Sequence, residues 1–241
     1  MLEVTERDEV AVVELQRPDR HNALDAELCG RLESAVKDAA ASARAIVVTG
    51  AGRSFCAGAD FGDVDGGGFR AALYSALGAI TAAPVPVIAA INGPAIGAGT
   101  QLAIACDLRI ADERARFALP TARLGLAVDQ WTIRRLALLA GGGPARHLLL
   151  GDGQIERGRA YALGLVDRLG TLDDALAWAG DIAALAPLTL AYNKRALEEL
   201  LEPTPSSARL HAMFDACWSS SDFREGLAAR GEGRSPRFEG R

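Results

Sequence analysis

The residues with the clearest chemical potential lie in two turns of small residues, Ser54–Asp60 (SFCAGAD) and Asn92–Thr100 (NGPAIGAGT). Each is predicted to connect a strand to a helix. Small residues let a ligand approach the backbone closely, and the first N–H groups of a helix have no partner within it. Two such turns together could aim two N–H groups at one negatively charged oxygen. Either turn alone is more typical of a tight connection, so only the pair predicts a site.

Other sites that use glycine-rich turns or nucleophiles fit this sequence less well. Gly93, Gly97 and Gly99 do not have the G-x-G-x-x-G spacing of a dinucleotide site, and no Gly-Lys pair of a P-loop occurs. Ser54 lacks the second glycine of a hydrolase elbow, and the sequence around the histidines does not pair one with Cys56. A nicotinamide, flavin or nucleoside triphosphate site and a covalent nucleophile are therefore not predicted.

Composition excludes several further classes of function. The 241 residues carry a formal net charge of −5 without a basic cluster, which argues against a nucleic-acid partner. Four widely spaced cysteines indicate neither a zinc site nor a disulfide framework. An acidic amino terminus and short, proline-marked apolar runs argue against a signal peptide and a membrane span. The sequence predicts a cytoplasmic protein without a metal.

The elements that must position the two turns alternate between strand and helix. Apolar, β-branched runs predict strands at Val10–Leu15, Ala45–Thr49 and Val87–Ile91, with helices between them. Such continuous apolar strands are typical of a parallel sheet that is covered on both faces, which places the fold in the α/β class. From Asp129 onward almost everything is predicted to be helical, interrupted only by the short segment Leu165–Arg168.

Five motifs together resemble the enoyl-CoA hydratase/isomerase (crotonase) superfamily in order and spacing, over essentially the whole chain. They are Arg17–Leu24 (RPDRHNAL), Phe55–Asp60 (FCAGAD), Ile91–Gly99 (INGPAIGAG), Cys106–Ala111 (CDLRIA) and Ser221–Gly226 (SDFREG). The resemblance implies a spiral of ββα units, with an acyl-CoA-binding core at 1–190 and a C-terminal helical region at 191–241 used for trimerisation. It also implies an acyl-CoA or enoyl-CoA ligand in fatty-acid metabolism, no separate cofactor, and a homotrimer or dimer of trimers.

The same resemblance implies that the backbone N–H groups of Ala59 and Ala98 form an oxyanion hole for the thioester carbonyl. An enolate that forms next to a thioester needs preorganised donors, and losing one donor costs ~3 kcal/mol of transition-state stabilisation. Further substrate-binding positions follow from the motifs: Ala23, Ala57, Gly58, Asp60, Phe61, Gly97, Gln101, Thr121 and Trp131. Asp60 could equally stabilise a turn, and Trp131 could equally belong to the core.

Both glutamates that transfer protons in hydratases of the superfamily are replaced here, by Gln101 and Thr121. Neither side chain exchanges a proton near neutral pH. Asp129 occupies a position at which some isomerases and dehalogenases of the superfamily carry an aspartate. An Asp directly before a helix is also a normal N-cap, and the two roles do not exclude each other.

Two hypotheses follow. The first is an enzyme of the hydratase/isomerase type in which Asp129 carries the proton, with isomerisation easier than hydration. The second is a non-catalytic binder of long-chain acyl-CoA, since the loss of both glutamates resembles an actinobacterial branch linked to such ligands. Arg20, Arg53 and Arg234 are candidates by position for contacts with the CoA phosphates. Chain length and the choice between trimer and hexamer do not follow from the sequence.

Overall fold

The computed structural model describes residues 1–60, 62, 68–201, 215–216 and 218–237. Phe61 therefore lies outside the described residues. The same holds for most of a helix that the sequence predicts at 207–219.

A six-stranded sheet organises the amino-terminal two thirds of the chain. Its order is β1-β2-β3-β4-β6-β9; β1 pairs with β2 antiparallel, and every following pair is parallel. The strands are β1 (Leu2–Arg7), β2 (Val10–Leu15), β3 (Ala45–Gly50), β4 (Val87–Ile91), β6 (Leu108–Ala111) and β9 (Arg168–Leu169). The predicted α/β class and its parallel sheet are confirmed.

Helices cover both faces of this sheet. Alternate residues of a strand point to opposite faces, so each strand contributes side chains to both helical layers. On β3, Ile46 and Val48 pack into the larger core, with α1 (Ala26–Ser42), α2 (Gly68–Ala82) and α3 (Ala98–Ala105). Ala45 and Val47 of the same strand face the other way and pack against α7 (Leu172–Ala183). This double burial explains why the strands read as continuous apolar runs.

A second, three-stranded sheet joins the 92–100 turn to the later part of the chain. Its order is β5-β7-β8, formed by Pro94–Ile96, Arg116–Ala118 and Gln154–Glu156. The sequence predicts no strand at the third of these positions and begins a helix at Glu156, which is instead the last residue of the strand. Three residues are too few to show the period-2 alternation that identifies a strand.

The predicted interruption of the helices at Leu165–Arg168 is found, and only its end forms a strand. The chain pairs with β6 only at Arg168–Leu169, whereas Leu165 and Val166 are buried in the core outside any strand. The apolar residues reflect burial there, which periodicity cannot distinguish from strand pairing over so short a run.

Helices dominate after Asp129, as predicted. They are α4 (Gln130–Ala140), α5 (Gly142–Leu149), α6 (Arg157–Ala162), α7, α8 (Pro187–Leu201) and α9 (Ser221–Glu232). Helix α8 crosses the predicted domain boundary at residue 190, so that boundary coincides with no break between elements. Among the described helices no single one is long and apolar enough to cross a bilayer; α7 and α8 reach that length only as a pair bent by 110°.

Candidate functional site

The 54–60 turn and the 92–100 turn lie against each other at the carboxyl ends of β3 and β4. Cys56 N–H donates to the Pro94 carbonyl at 3.1 Å, and Ile96 N–H donates to the Cys56 carbonyl at 2.9 Å. The position that a Cβ would take on Gly58 lies 3.6 Å from the Ala98 nitrogen and 2.8 Å from the Ile96 carbonyl oxygen. A side chain at position 58 would therefore collide with the neighbouring turn.

The backbone of residues 58–60 is oriented by a short parallel bridge to Leu24. Leu24 N–H donates to the Gly58 carbonyl at 2.8 Å, and Asp60 N–H donates to the Leu24 carbonyl at 2.7 Å. Successive N–H groups of an extended segment point to opposite sides, so Ala59 N–H points away from Leu24. It donates to no acceptor within the part of the chain that the structure describes.

Ala98 offers a second N–H group for a different local reason. It is the first residue of α3, and the first N–H groups of a helix have no intrahelical acceptor. Gly97, with φ +56°, turns the chain into the helix, and its own N–H donates to the Ala118 carbonyl at 2.8 Å. The Ala98 N–H likewise meets no acceptor among the described residues, and the positive end of the α3 dipole favours a negative oxygen there.

Both turns open onto one cavity of about 650 Å³, open solvent at its mouth included, called the turn cavity below. Its other walls are mainly apolar and come from α2, from residues 120–128 and from the tail. The predicted site residues that line it are Ala57, Gly58, Ala59, Gly97, Ala98, Gln101 and Thr121. The structure thus brings seven of the twelve predicted site residues to one cavity.

Gln101 is buried, with 5% of its surface exposed, one helical turn into α3. Its amide donates to the hydroxyl of Thr132 at 2.8 Å, and the hydroxyl of Tyr74 lies nearby. Burial, followed by the charge of Asp129, raises the pKa of Tyr74 above its usual value. At neutral pH these three side chains form an uncharged polar group at the back of the turn cavity.

Asp129 and Trp131 lie in a neighbouring cavity, called the Asp129 cavity below, between α2, α4 and α8. Asp129 is the N-cap of α4, and its carboxylate accepts from Thr132 N–H at 2.7 Å. The Trp131 ring is covered by the Arg135 guanidinium at 5.2 Å. Tyr74 lines both cavities, so it separates Asp129 from the turn cavity.

Ala23 and Asp60 lie beside the turn cavity, joined by the side chain of Arg17. Its guanidinium donates to the Ala23 carbonyl at 2.7 Å and pairs with Asp60 at 2.8 Å. Partial burial raises the pKa of Asp60, but the hydrogen bonds and charge of Arg17 outweigh it and hold the pKa below its usual value. Asp60 also accepts from Gly62 N–H at 3.4 Å, as expected of a turn-stabilising residue.

The thiols of this region are poor nucleophiles. Burial raises the pKa of the Cys56 thiol to about 12. Burial and the nearby Cys56 thiol raise the pKa of Cys29 to about 12 as well. His21 Nδ1 lies 3.4 Å from the hydroxyl of Ser54, a contact that the sequence did not indicate. Among the described residues, no group of three His, Cys, Asp or Glu side chains is placed to hold a metal ion.

Of the predicted phosphate contacts, Arg20 and Arg53 are exposed. Arg234 pairs with Glu225 at 2.6 Å and lowers the pKa of that carboxyl to about 2, so its charge is already balanced within the tail.

Sequence reasoning missed Tyr74 and Arg17. The side chain of Tyr74 lies beside the apolar stripe of α2, where periodicity gives no signal. Arg17 begins a motif that the sequence analysis quotes, but its partners are up to 43 residues away.

Comparison with known proteins relates the chain to one family. A family model described as "Enoyl-CoA hydratase/isomerase" matches residues 5–241. The protein named "Probable enoyl-CoA hydratase echA6" of Mycobacterium tuberculosis (strain CDC 1551 / Oshkosh) is 46% identical over 245 residues, covering 100% of both chains.

Solved structures resemble the whole chain as well. A methylmalonyl-CoA decarboxylase in complex with 2-nitronate-propionyl-CoA superposes with a TM-score of 0.92 at 26% identity, covering 100% of this chain and 98% of that one. An enoyl-CoA hydratase from Mycobacterium avium subsp. paratuberculosis K-10 superposes with a TM-score of 0.88 at 29% identity, covering 99% and 98%. The predicted crotonase fold is confirmed.

Proposed function

The chain belongs to the enoyl-CoA hydratase/isomerase family, which acts on CoA thioesters, and on this premise we propose that it captures an acyl-CoA or enoyl-CoA with the thioester carbonyl between Ala59 N–H and Ala98 N–H. The observation that carries the proposal is that two N–H groups without an acceptor among the described residues meet at one cavity. Backbone donors of this kind stabilise an oxyanion best where water is excluded.

The walls of the turn cavity fit an apolar acyl chain. Phe69, Leu73, Leu126 and Trp218 line it, and Trp218 is fixed by donation from its ring N–H to the Ala127 carbonyl at 3.0 Å. Binding sites for small molecules are typically apolar with a few placed polar groups, which is the composition found here. No separate cofactor is required for capture, because coenzyme A is part of the ligand.

Hydration is the reaction that the turn cavity supports least. Adding water requires a group that accepts a proton from water and a group that delivers one to the α-carbon. Gln101 and Thr121 stand at the two corresponding positions, and neither titrates near neutral pH. The Gln101 amide is moreover engaged with Thr132. Capture and polarisation of the thioester, without efficient hydration, is the function that the geometry supports best.

Isomerisation through Asp129 is the second candidate. Moving a double bond along an enoyl thioester needs one carboxylate, which takes a proton from one carbon and returns it to another. The observation in its favour is that Asp129 lies directly behind Tyr74, a wall of the turn cavity. Reaching the acyl chain requires the Tyr74 side chain to leave its position, which is why this candidate ranks second.

Binding and turnover measured together test both candidates. The wild type and Asp129→Asn are incubated with 2-enoyl- and 3-enoyl-CoAs of several chain lengths. We expect binding to both proteins and no rapid hydration by either. Asparagine keeps the cap of α4, so a difference between the proteins reports on the carboxylate and not on folding.

The outcomes separate the two functions. Turnover of 3-enoyl-CoA that disappears in Asp129→Asn, with binding intact, would establish isomerisation. Absence of binding in the wild type would sink both candidates.

We further propose a trimeric assembly in the cytoplasm, as the family resemblance implies. Exposed apolar residues on α8 support an assembly surface: Leu188 is 85% exposed, Tyr192 72% and Leu200 74%. Light scattering of the purified protein should give three or six times the chain mass of 25.2 kDa. A monomer at micromolar concentration would contradict the proposed assembly.

A further inference from the structure

We propose that Arg17 is a positioning residue that sets the direction of the Ala59 N–H group. Arg17 is not one of the described residues that line the turn cavity. Its effect on a bound ligand must therefore pass through the backbone of residues 58–60. The inference rests on the proposed function, because it concerns one of the two proposed carbonyl donors.

The side chain of Arg17 holds both partners of the bridge that orients Ala59. On one side it donates to the Ala23 carbonyl and pairs with Asp25 at 2.8 Å, so it holds the residues on either side of Leu24. On the other side it pairs with Asp60, the residue after Ala59. The two hydrogen bonds between Leu24 and the 58–60 segment lie between these contacts.

Partial burial makes these contacts stronger than those of a surface ion pair. The side chains of Arg17 and Asp60 are each 16% exposed, and that of Asp25 is 14% exposed. Charge-assisted hydrogen bonds at such sites are less screened and geometrically more specific than exposed pairs. The planar guanidinium can serve three oxygens at fixed angles, which a lysine ammonium on a flexible stem cannot reproduce.

Arg17 is itself fixed from the opposite side by Asn22. Arg17 N–H donates to the Asn22 side-chain oxygen at 3.0 Å, and the Asn22 amide donates to the carbonyls of Ala51 and Ser54. Asn22 is fully buried and has φ +57°. The start of the 54–60 turn is therefore anchored by Asn22 and its end by Arg17, with Ala59 N–H exposed to the cavity between them.

Infrared spectroscopy of a bound acyl-CoA tests this role without requiring turnover. Hexanoyl-CoA labelled with ¹³C at the thioester carbonyl is added to the wild type and to Arg17→Ala, Arg17→Lys and Arg44→Ala. Hydrogen bonds from the two N–H groups polarise the carbonyl and lower its stretching frequency relative to free ligand. We expect Arg17→Ala to lose at least half of this shift and to bind at least tenfold more weakly, and Arg17→Lys to lose a smaller part of both.

Arg44→Ala is the matched control. Arg44 joins two segments through Glu9 and the Leu185 carbonyl, away from both turns, and should keep the wild-type shift. If Arg17→Ala does not fold, as judged by circular dichroism, Asp60→Asn removes the charge of one partner and should also reduce the shift.

A wild-type shift in every folded Arg17 and Asp60 variant would overturn the positioning role while leaving the proposed function intact. An equal loss in Arg44→Ala would also overturn it, because the effect would then be global. No shift in the wild type would instead refute the proposed function itself.

Discussion

Residue 101 illustrates how one side chain limits the chemistry of a site. Gln101 is buried in α3, where its amide donates to the hydroxyl of Thr132 and lies near the hydroxyl of Tyr74. Both neighbours carry hydroxyl groups that can donate as well as accept, so a carboxylate could replace the amide without leaving a buried atom unpaired. Burial would raise the pKa of that carboxylate, which is what a general acid or base near pH 7 needs.

Introducing carboxylates at positions 101 and 121 should therefore create hydratase activity. We predict that Gln101→Glu combined with Thr121→Glu hydrates crotonyl-CoA about 100-fold faster than the wild type, the lower end of what general acid–base catalysis contributes. Loss of the enoyl absorbance measures the rate. Gln101→Ala combined with Thr121→Ala is the control and should stay at the wild-type level; equal rates in the wild type and the double glutamate variant would refute the role assigned to these positions.

The buried thiols should be inert in the folded protein. Because the pKa of Cys56 is raised to about 12, only about one molecule in ten thousand carries the thiolate at pH 8. We predict that iodoacetamide leaves Cys29, Cys56 and Cys106 unmodified until the protein is denatured. Peptide mass mapping checks this, and rapid alkylation of Cys56 in the folded state would contradict the burial described for the 54–60 turn.

At the scale of elements, the site depends on how closely two strand-to-helix turns approach each other. A Cβ on Gly99 would lie 2.0 Å from the Cys56 carbonyl oxygen, and one on Gly93 would lie 2.1 Å from the Arg53 carbonyl oxygen. Both are backbone atoms, and the Cys56 carbonyl also accepts from Ile96 N–H, so neither can move away cheaply. The small residues are needed for this approach as well as for access by a ligand.

Gly99→Ala should accordingly cost stability and binding together. We predict a loss of at least about 2 kcal/mol in the free energy of unfolding, from overpacking of the contact, and loss of acyl-CoA binding. Gly30→Ala in α1 is the matched control: no atom lies within 4 Å of its Cβ position, so it should stabilise the protein by about 0.5–1 kcal/mol. Urea denaturation measures both variants, and a stable Gly99→Ala that binds normally would contradict the packing of the two turns.

Asp129 is the N-cap of α4, and this structural role can be measured separately from any catalytic role. We predict that Asp129→Ala lowers the free energy of unfolding by about 1 kcal/mol, because Thr132 N–H loses its acceptor, whereas Asp129→Asn has little effect. Denaturation curves for the two variants check this. Equal losses in both would show that the charge, and not the cap, stabilises α4.

The motifs predicted the turns well, since small residues at fixed spacing must approach something closely. They could not predict that Asp129 and Gln101 line different cavities. That separation depends on where α2 places Tyr74, which is a matter of packing between helices and leaves no periodic signal. The same limit applies to the sheet β5-β7-β8, whose strands are too short to alternate.

At the scale of the whole molecule, α8 is attached to the core by ion pairs whose charged side chains are largely buried. Lys194 pairs with Asp107 at 2.8 Å and donates to the carbonyls of Ile80 and Val85. Arg135 of α4 pairs with Glu198 at 2.7 Å, with 4% of the Arg135 side chain exposed. Neither pair was predictable, because a sequence does not distinguish a buried charge from a surface one until the helices are placed.

Removing one partner of such a pair should destabilise the fold strongly. The chain has two lysines, which makes a matched comparison possible. We predict that Lys194→Ala lowers the free energy of unfolding by about 3 kcal/mol, since it leaves Asp107 partly buried without its partner. Lys37→Ala, which breaks an exposed pair with Glu33 on α1, should change it by less than about 0.5 kcal/mol. Chemical denaturation decides, and similar values for the two variants would contradict the attachment described for α8.

The central claim concerns one oxygen atom, so a crystal structure with bound hexanoyl-CoA tests it most directly. We expect the thioester carbonyl oxygen within about 3 Å of both the Ala59 and the Ala98 nitrogen, with the acyl chain in the turn cavity. A hexanoyl-CoA bound with its carbonyl away from both nitrogens would contradict the account.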